Sequence, residues 1–341
     1  MGMRAQAHEI IRTWAFYTIV KSLYHTGHIP WKDIMISGFV LAKTGEKISK
    51  SKSNASASPT RLIETHSADI MRYWAAGSKL GTDTFFHEDE LKTAKRFITK
   101  LWNASRFVLS RLENVDGKTV DWKYSDWKYS DFENGHLKNS DLKDMDLAGM
   151  PGLLPVDQWI LERVNETIAT AGKFLEEYEI GQARHEIDEL FWKDFCDYYI
   201  EIAKERLYQP EKYGMEERRS GQYAIYHALL GILKLYAIYT PHITDYIYQE
   251  FYREGEKEIS IHKLLWNKKE DNNAELLAFG EVLKKTIMEA RKYKSEKNLS
   301  MKEEMESVTV NCDKTLEKFF KETEMDLLAC TNSKRIIYNI D

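Results

Sequence analysis

The sequence predicts a mainly α fold, with a short α/β segment at its start, a helical bundle through its middle and a small α+β module at its end. Three observations predict it. Apolar residues recur at three- and four-residue spacing through most of 59–112 and 156–266. Strand-like runs are confined to 34–41, 308–310 and 335–338. At 341 residues the chain exceeds the size at which one core stops growing, which implies two or three domains.

Taken in order, residues 1–58 read as helix, strand and loop. A helix over 14–24 stops before Ile29-Pro30, because proline disfavours helix in the residue before it. The strand 34–41 follows, then a turn at Lys43-Thr44-Gly45-Glu46. Residues 59–112 are helical: Leu91, Ala94, Ile98, Leu101, Ser105, Val108 and Leu112 share a face, and Glu88, Asp89 and Glu90 in the first turn complement the helix dipole. Residues 113–155, rich in glycine and charge, form a linker or insertion. The run Asp121-Trp122-Lys123-Tyr124-Ser125 is repeated there directly at 126–130.

Residues 156–266 form a four- or five-helix domain. One helix presents Trp159, Ile160, Val164, Ile168, Ala171 and Leu175; the next presents Ile187, Leu190, Phe191, Phe195, Tyr198, Ile202 and Leu207. Residues 223–239 are apolar nearly all round and are expected at the centre. Thr240-Pro241 opens a further helix with a capping residue and a first-turn proline. Residues 267–341 close the chain with a helix over 274–294, a strand 308–310, a helix opened by Asp313 and a strand 335–338.

Composition excludes some classes. No apolar run is long enough to span a bilayer, so no membrane partner is expected. Cys196, Cys312 and Cys330 are odd in number and widely spaced, which argues for a reducing cytoplasm and against a disulfide framework or a metal site. The net charge of −5 argues weakly against an RNA partner, but phosphate contacts depend on local clusters. Basic clusters occur at residues 47–52, at Lys284-Lys285 with Arg291-Lys292-Lys294, and at Lys334-Arg335; each taken alone reads as a solvated face.

The most informative stretch is Lys47-Ile48-Ser49-Lys50-Ser51-Lys52-Ser53-Asn54, placed directly after the strand and turn. Its ammonium groups suit charge developing on phosphate oxygens, and its small side chains let the backbone approach a polyphosphate. The stretch resembles the Lys-Met-Ser-Lys-Ser loop of class I aminoacyl-tRNA synthetases, with Ile48 for the usual methionine and Ser53 where glycine is commonest. The resemblance extends to Arg4-Ala5-Gln6-Ala7-His8-Glu9-Ile10-Ile11-Arg12-Thr13-Trp14, to Trp31-Lys32-Asp33-Ile34-Met35-Ile36-Ser37-Gly38, to Phe195-Cys196-Asp197-Tyr198-Tyr199 and to Pro241-His242-Ile243-Thr244. In this order the motifs look like valyl-tRNA synthetases, and specifically their carboxy-terminal portion. The His-Ile-Gly-His half of the nucleotide-binding fold and the editing insertion are missing. His25-Thr26-Gly27-His28 is similar in letters only, since it ends a helix where the signature opens one.

The resemblance implies a remnant of a class I α/β nucleotide-binding domain (1–58), a helical stem-contact region (59–112), a helical anticodon-binding domain (156–266) and the small terminal module (267–341). It implies ATP-dependent activation of valine and its transfer to tRNA(Val), inactive without the missing half, which a separate chain would supply. Lys47 and Lys50 would hold the triphosphate, aided by Ser49 and Ser51; His8 and Glu9 would face the ATP ribose, with Gln6 in the same cleft. Glu9 stands where an aspartate is usual. Ile10 and Trp14, four apart on a helix, would line the valine pocket; plain core packing accounts for them nearly as well. Trp192, Phe195, Tyr198 and Arg206 are the candidates for contact with the anticodon stem. Mg2+ is implied by the family, with no protein ligand identified. The alternatives are a non-catalytic tRNA-binding module derived from a synthetase, and a decayed gene product.

Overall fold

The computed structural model describes residues 2–42, 45–48, 58–112, 152–266 and 272–340. They fall into two units, Met1–Lys100 with Ala171–His185, and Leu101–Thr170 with Glu186–Asp341.

In the first unit β1 (Met3–Ala7) pairs in parallel with β2 (Asp33–Ser37), Gln6 opposite Ile36. A parallel pair needs a crossover, and here it is a 3-10 turn (His8–Ile10), a π-helical turn (Ile11–Ala15) and the helix Phe16–Thr26. The expected helix over 14–24 thus begins two residues later. It stops at Gly27, whose φ of 72° lets its N–H close onto the Leu23 carbonyl. His25-Thr26-Gly27-His28 is therefore a helix end, as read from its context.

The single strand expected over 34–41 is two strands. β2 ends at Ser37, and β3 (Val40–Leu41) turns away to pair in parallel with β4 (Thr84–Phe85). The break falls at Gly38, where a Cβ would run into the Thr82 carbonyl. Only glycine permits that approach. Ser58 then caps the helix Pro59–His66 by accepting from the Arg61 N–H (3.3 Å), and the helices Ala68–Ala75 and Glu88–Arg111 follow. Tyr73 stacks on Phe97 with ring centroids 4.2 Å apart. The distant segment Ala171–His185 is anchored on this unit: Arg184 Nη1 donates to the Tyr73 carbonyl (2.7 Å), and the Tyr178 hydroxyl donates to Asp33 (3.1 Å).

The second unit is built on residues 155–170 of the helix Pro155–Glu176, residues 186–208 of the stretch Ile180–Tyr208, and the helices Met215–Tyr236, Pro241–Phe251 and Ala274–Glu296. The stretch carries ten residues of π-helix, Leu190–Tyr199. Met215–Tyr236 is buried along most of its length, as its all-round apolarity predicts. Close helix contacts occur at two glycines, Gly231 against Val164 and Gly280 against the Trp159 indole. Proline opens Pro241–Phe251 as expected, but Thr240 makes no side-chain cap; its hydroxyl donates back to the Tyr236 carbonyl.

The tail has the expected α+β form. Asn273 caps Ala274–Glu296 through the Leu276 N–H (3.2 Å). β5 (Val308–Cys312) pairs in parallel with β6 (Ile336–Ile340), Val310 opposite Tyr338. Between them lie the helices Glu317–Glu322 and Glu324–Thr331, so the helix expected at Asp313 starts four residues later. The tandem repeat at 121–130 lies outside the described residues. Among the described residues no helix is long and apolar enough to cross a membrane.

Candidate functional site

The site is assembled from the crossover that follows β1 and the short hairpin that follows β3. Gly45, at φ 80°, allows the turn in which the Ala42 N–H donates to the Glu46 carbonyl (2.7 Å). The returning strand bridges Lys47 to Leu41, and the Ile48 N–H donates to the Val40 carbonyl (3.2 Å). Backbone pairing thereby holds Lys47 at the edge of the unit. Its Nζ lies 2.6 Å from Glu9 Oε1 and 3.9 Å from the centroid of the Phe39 ring. Both partners remain about half exposed, at 44% and 48%. Ser49, Lys50 and Ser51 lie outside the described residues.

Glu9 comes from the 3-10 turn His8–Ile10. Beside it the His8 ring packs on Phe39 (4.4 Å between centroids), and its Nε2 is 3.5 Å from Asp83 Oδ1. Asp83 Oδ1 also accepts the Phe39 N–H at 2.7 Å, which holds its carboxyl below the usual range, with His8 adding to the effect. His8, Glu9 and Lys47, chosen from sequence, are therefore brought together by the structure. Phe39 and Asp83 were missed, and only the glycine at 38 hinted that the strand would bend toward residues near 82.

Ile10 is half-buried, and Trp14 is 41% exposed within the π-helical turn. The Trp14 ring stacks on Trp31 (6.0 Å, 6° between planes), and the Arg4 guanidinium lies 4.0 Å over it. Gln6 is buried on β1, and neither atom of its amide has a hydrogen-bond partner among the described residues. Trp31 and Arg4 were not proposed as site residues; the indole pair has no signature in spacing because its members lie on opposite sides of the crossover helix. The helix Phe16–Thr26 buries none of its residues, and Phe16, Tyr17, Leu23 and Tyr24 are exposed.

The anticodon-stem candidates separate into two groups. Trp192 and Tyr198 are half-buried, with the Arg291 guanidinium 5.2 Å over the Tyr198 ring. Phe195 and Arg206 are fully buried and cannot touch RNA without opening the core, which corrects the sequence expectation for both. Phe195 stacks on Tyr199 (6.2 Å), and Arg206 is consumed by Asp157, 49 residues before it, and Asp326, 120 residues after it. Among the basic clusters, Lys284 is tied to Asp194 (2.6 Å) and Glu281 (2.7 Å), and Lys334 to Glu306 (2.6 Å). No group of histidine, cysteine, aspartate and glutamate among the described residues is arranged to hold a metal ion.

Comparison with known proteins gives two family matches. Residues 2–87 match the family described as tRNA synthetases class I (I, L, M and V), and residues 157–310 match the anticodon-binding domain of tRNA ligase. Among curated proteins, the valine–tRNA ligase of Rickettsia rickettsii (strain Sheila Smith) is 39% identical over 89% of this chain and 34% of its own length. That of Wolbachia sp. subsp. Brugia malayi is 35% identical over 98% of this chain and 35% of its own. The chain thus spans about a third of the length of the curated relatives it matches. Of solved structures, Mycobacterium tuberculosis methionyl-tRNA synthetase bound by methionyl-adenylate aligns with TM-score 0.53 at 16% identity, over 76% of this chain and 47% of that one. The Agrobacterium radiobacter K84 LeuRS–tRNA–LeuAMS complex aligns with TM-score 0.52 at 13% identity, over 81% of this chain and 30% of that one. These two alignments carry the fold.

Proposed function

Because this chain belongs to the class I aminoacyl-tRNA synthetases, on the valine–tRNA ligase branch, we propose that it supplies the ATP-loop and tRNA-binding part of such a ligase. With the remainder of the enzyme it activates valine with ATP and transfers the valyl group to tRNA(Val). The observation that carries this reading is the placement of Lys47: a cation fixed by backbone pairing, held against Glu9 at the head of the lysine- and serine-rich loop.

Amino-acid activation is attack by a carboxylate on the α-phosphate of ATP with pyrophosphate leaving, and its catalysis is mostly positioning and charge stabilisation. The Lys47–Glu9 pair is exposed, and such pairs contribute about 0–1 kcal/mol, so Lys47 can leave Glu9 for a phosphate oxygen at little cost. Lys50, Ser49 and Ser51 would complete the clamp on the triphosphate. Released from Lys47, Glu9 is free to accept from the ribose hydroxyls, with His8 and Gln6 beside it. The indole of Trp14, fixed by Trp31 and Arg4, offers an apolar wall to the valine side chain with Ile10. Mg2+, where the reaction uses it, would act on the phosphates; none of the described residues is assigned to it.

The missing polypeptide would cover the exposed face of Phe16–Thr26 and extend the two-stranded sheet, since a parallel pair alone is marginal. The test is to mix the chain with the unmatched part of a curated valine–tRNA ligase and measure valine-dependent ATP–pyrophosphate exchange. Exchange that falls about a hundredfold in Lys50→Ala, the effect of losing one preorganised donor, supports the reading. No exchange from folded partners in the presence of tRNA overturns it. The second reading, a tRNA-binding module without catalysis, is favoured by the longer match of residues 157–310. Tight filter binding of tRNA without complementation would select it.

A further inference from the structure

The bundle and the tail helix Glu324–Thr331 share a cluster of buried charge that neither nucleotide nor RNA chemistry uses. Arg206 donates through Nη1 and Nη2 to the two oxygens of Asp157 (2.8 and 2.9 Å) and through Nη1 to the Glu217 carbonyl (2.6 Å). Its Nε lies 3.3 Å from Asp326 Oδ1 and 3.2 Å from Oδ2. Asp157 is satisfied further by the hydroxyls of Tyr199 (2.7 Å) and Ser220. Side-chain exposure is 0% for Arg206 and Asp157 and 3% for Asp326.

Two carboxylates face one guanidinium in a site closed to water, which leaves one negative charge uncompensated. A buried charge without a partner is expensive, and taking up a proton removes it. The geometry says which acid takes it. Among the described residues Asp157 receives two N–H and two O–H donors, whereas Asp326 shares only Nε, and its Oδ2 accepts no hydrogen bond. Among the described residues Arg206 is the one cation paired with Asp326, and other cations nearby engage its neighbours. Glu205 is itself bonded to the Tyr213 hydroxyl (2.6 Å) and paired with Lys212 (3.2 Å), and Cys330, on Asp326's own helix, is a neutral thiol whose neighbours include Arg291 and Glu201.

We propose that Asp326 is a proton-binding position that fastens the C-terminal module to the bundle, so that the module docks more tightly in mild acid than at neutral pH. Burial, which outweighs the opposing pull of Arg206 and is aided by the neighbouring carboxylates Asp157 and Glu205, pushes the Asp326 carboxyl up to about 6. A carboxyl raised on folding holds its proton better in the folded state. Its stabilising contribution is therefore complete below the ordinary value of 3.8 and is lost as pH rises through about 6. Between pH 7 and pH 5 the docking equilibrium should shift about tenfold toward the closed form.

The test uses the full chain and amide-exchange protection factors for Glu324–Thr331 and Ile336–Ile340, measured from pH 7 to pH 5 in the wild type and in Asp326→Asn. The wild type should gain about tenfold in protection on acidification, relative to the variant, which is neutral at every pH. Parallel profiles in the two proteins would overturn the proposal. Should the variant not fold, the 13C carboxyl shift of Asp326 in the wild type decides. A midpoint above about 5 upholds the proposal, and one at or below that value refutes it. Neither readout depends on aminoacylation, so the synthetase reading can fail while this one stands.

Discussion

Lys47 with Glu9 and Arg206 with Asp157 are both cation–carboxylate pairs within hydrogen-bonding distance, at 2.6 and 2.8 Å, yet they do opposite things. The first pair is nearly half exposed and makes one contact between flexible side chains. The second has no exposed side-chain surface and is bidentate, with hydroxyl and carbonyl partners around it. Water competes with the first pair and screens it, so a ligand can take its place. Nothing competes with the second, so removing one member strands the other. Solvent access, more than distance, separates a cation that can serve a substrate from one that holds a fold.

The comparison can be broken from either side. Arg206→Met leaves Asp157 buried beside no cation and should cost about 3–5 kcal/mol of stability. Urea denaturation measures it, and a loss below 1 kcal/mol would place Arg206 among the exposed pairs. Lys47→Ala should leave the urea midpoint nearly unchanged while lowering complemented ATP–pyrophosphate exchange about a hundredfold, close to 3 kcal/mol of transition-state stabilisation. A large drop in stability would mean that Lys47 is structural after all. Gly280→Ala probes the packing that keeps the second unit dry. Its new methyl would meet the Trp159 indole, and overpacking of this kind costs about 1–3 kcal/mol, again read from the urea midpoint. Smallest of all, Glu9→Gln should change stability by about 0.5 kcal/mol or less, as surface substitutions do. It should alter the concentration dependence on ATP more than the stability.

How legible each part was depended on how local its determinants are. The helices at 59–112 and 156–266 follow from three- and four-residue periodicity, which is a property of neighbours along the chain. The turn at Gly45, the proline start at Pro241 and the helix stop at Gly27 likewise rest on one or two residues. The split of 34–41 into β2 and β3 was not legible, because it depends on the Thr82 backbone passing Gly38. Asp83 joined the site for the same reason, and Trp31 because it stacks on Trp14 across the length of the crossover helix in sequence. Arg206 was misjudged because nothing near it in sequence neutralises it; its carboxylates lie 49 and 120 residues away.

By itself the sequence determined the helical class, the order of the motifs and the presence of a cation-rich loop after a strand, since local spacing and residue chemistry specify these. The tertiary structure alone decided which charged side chains stay in water and which are sealed away, because burial is set by segments that meet only after folding. That distinction decides the work each residue can do: Lys47 keeps a partner it can exchange, and Arg206 keeps two that it cannot.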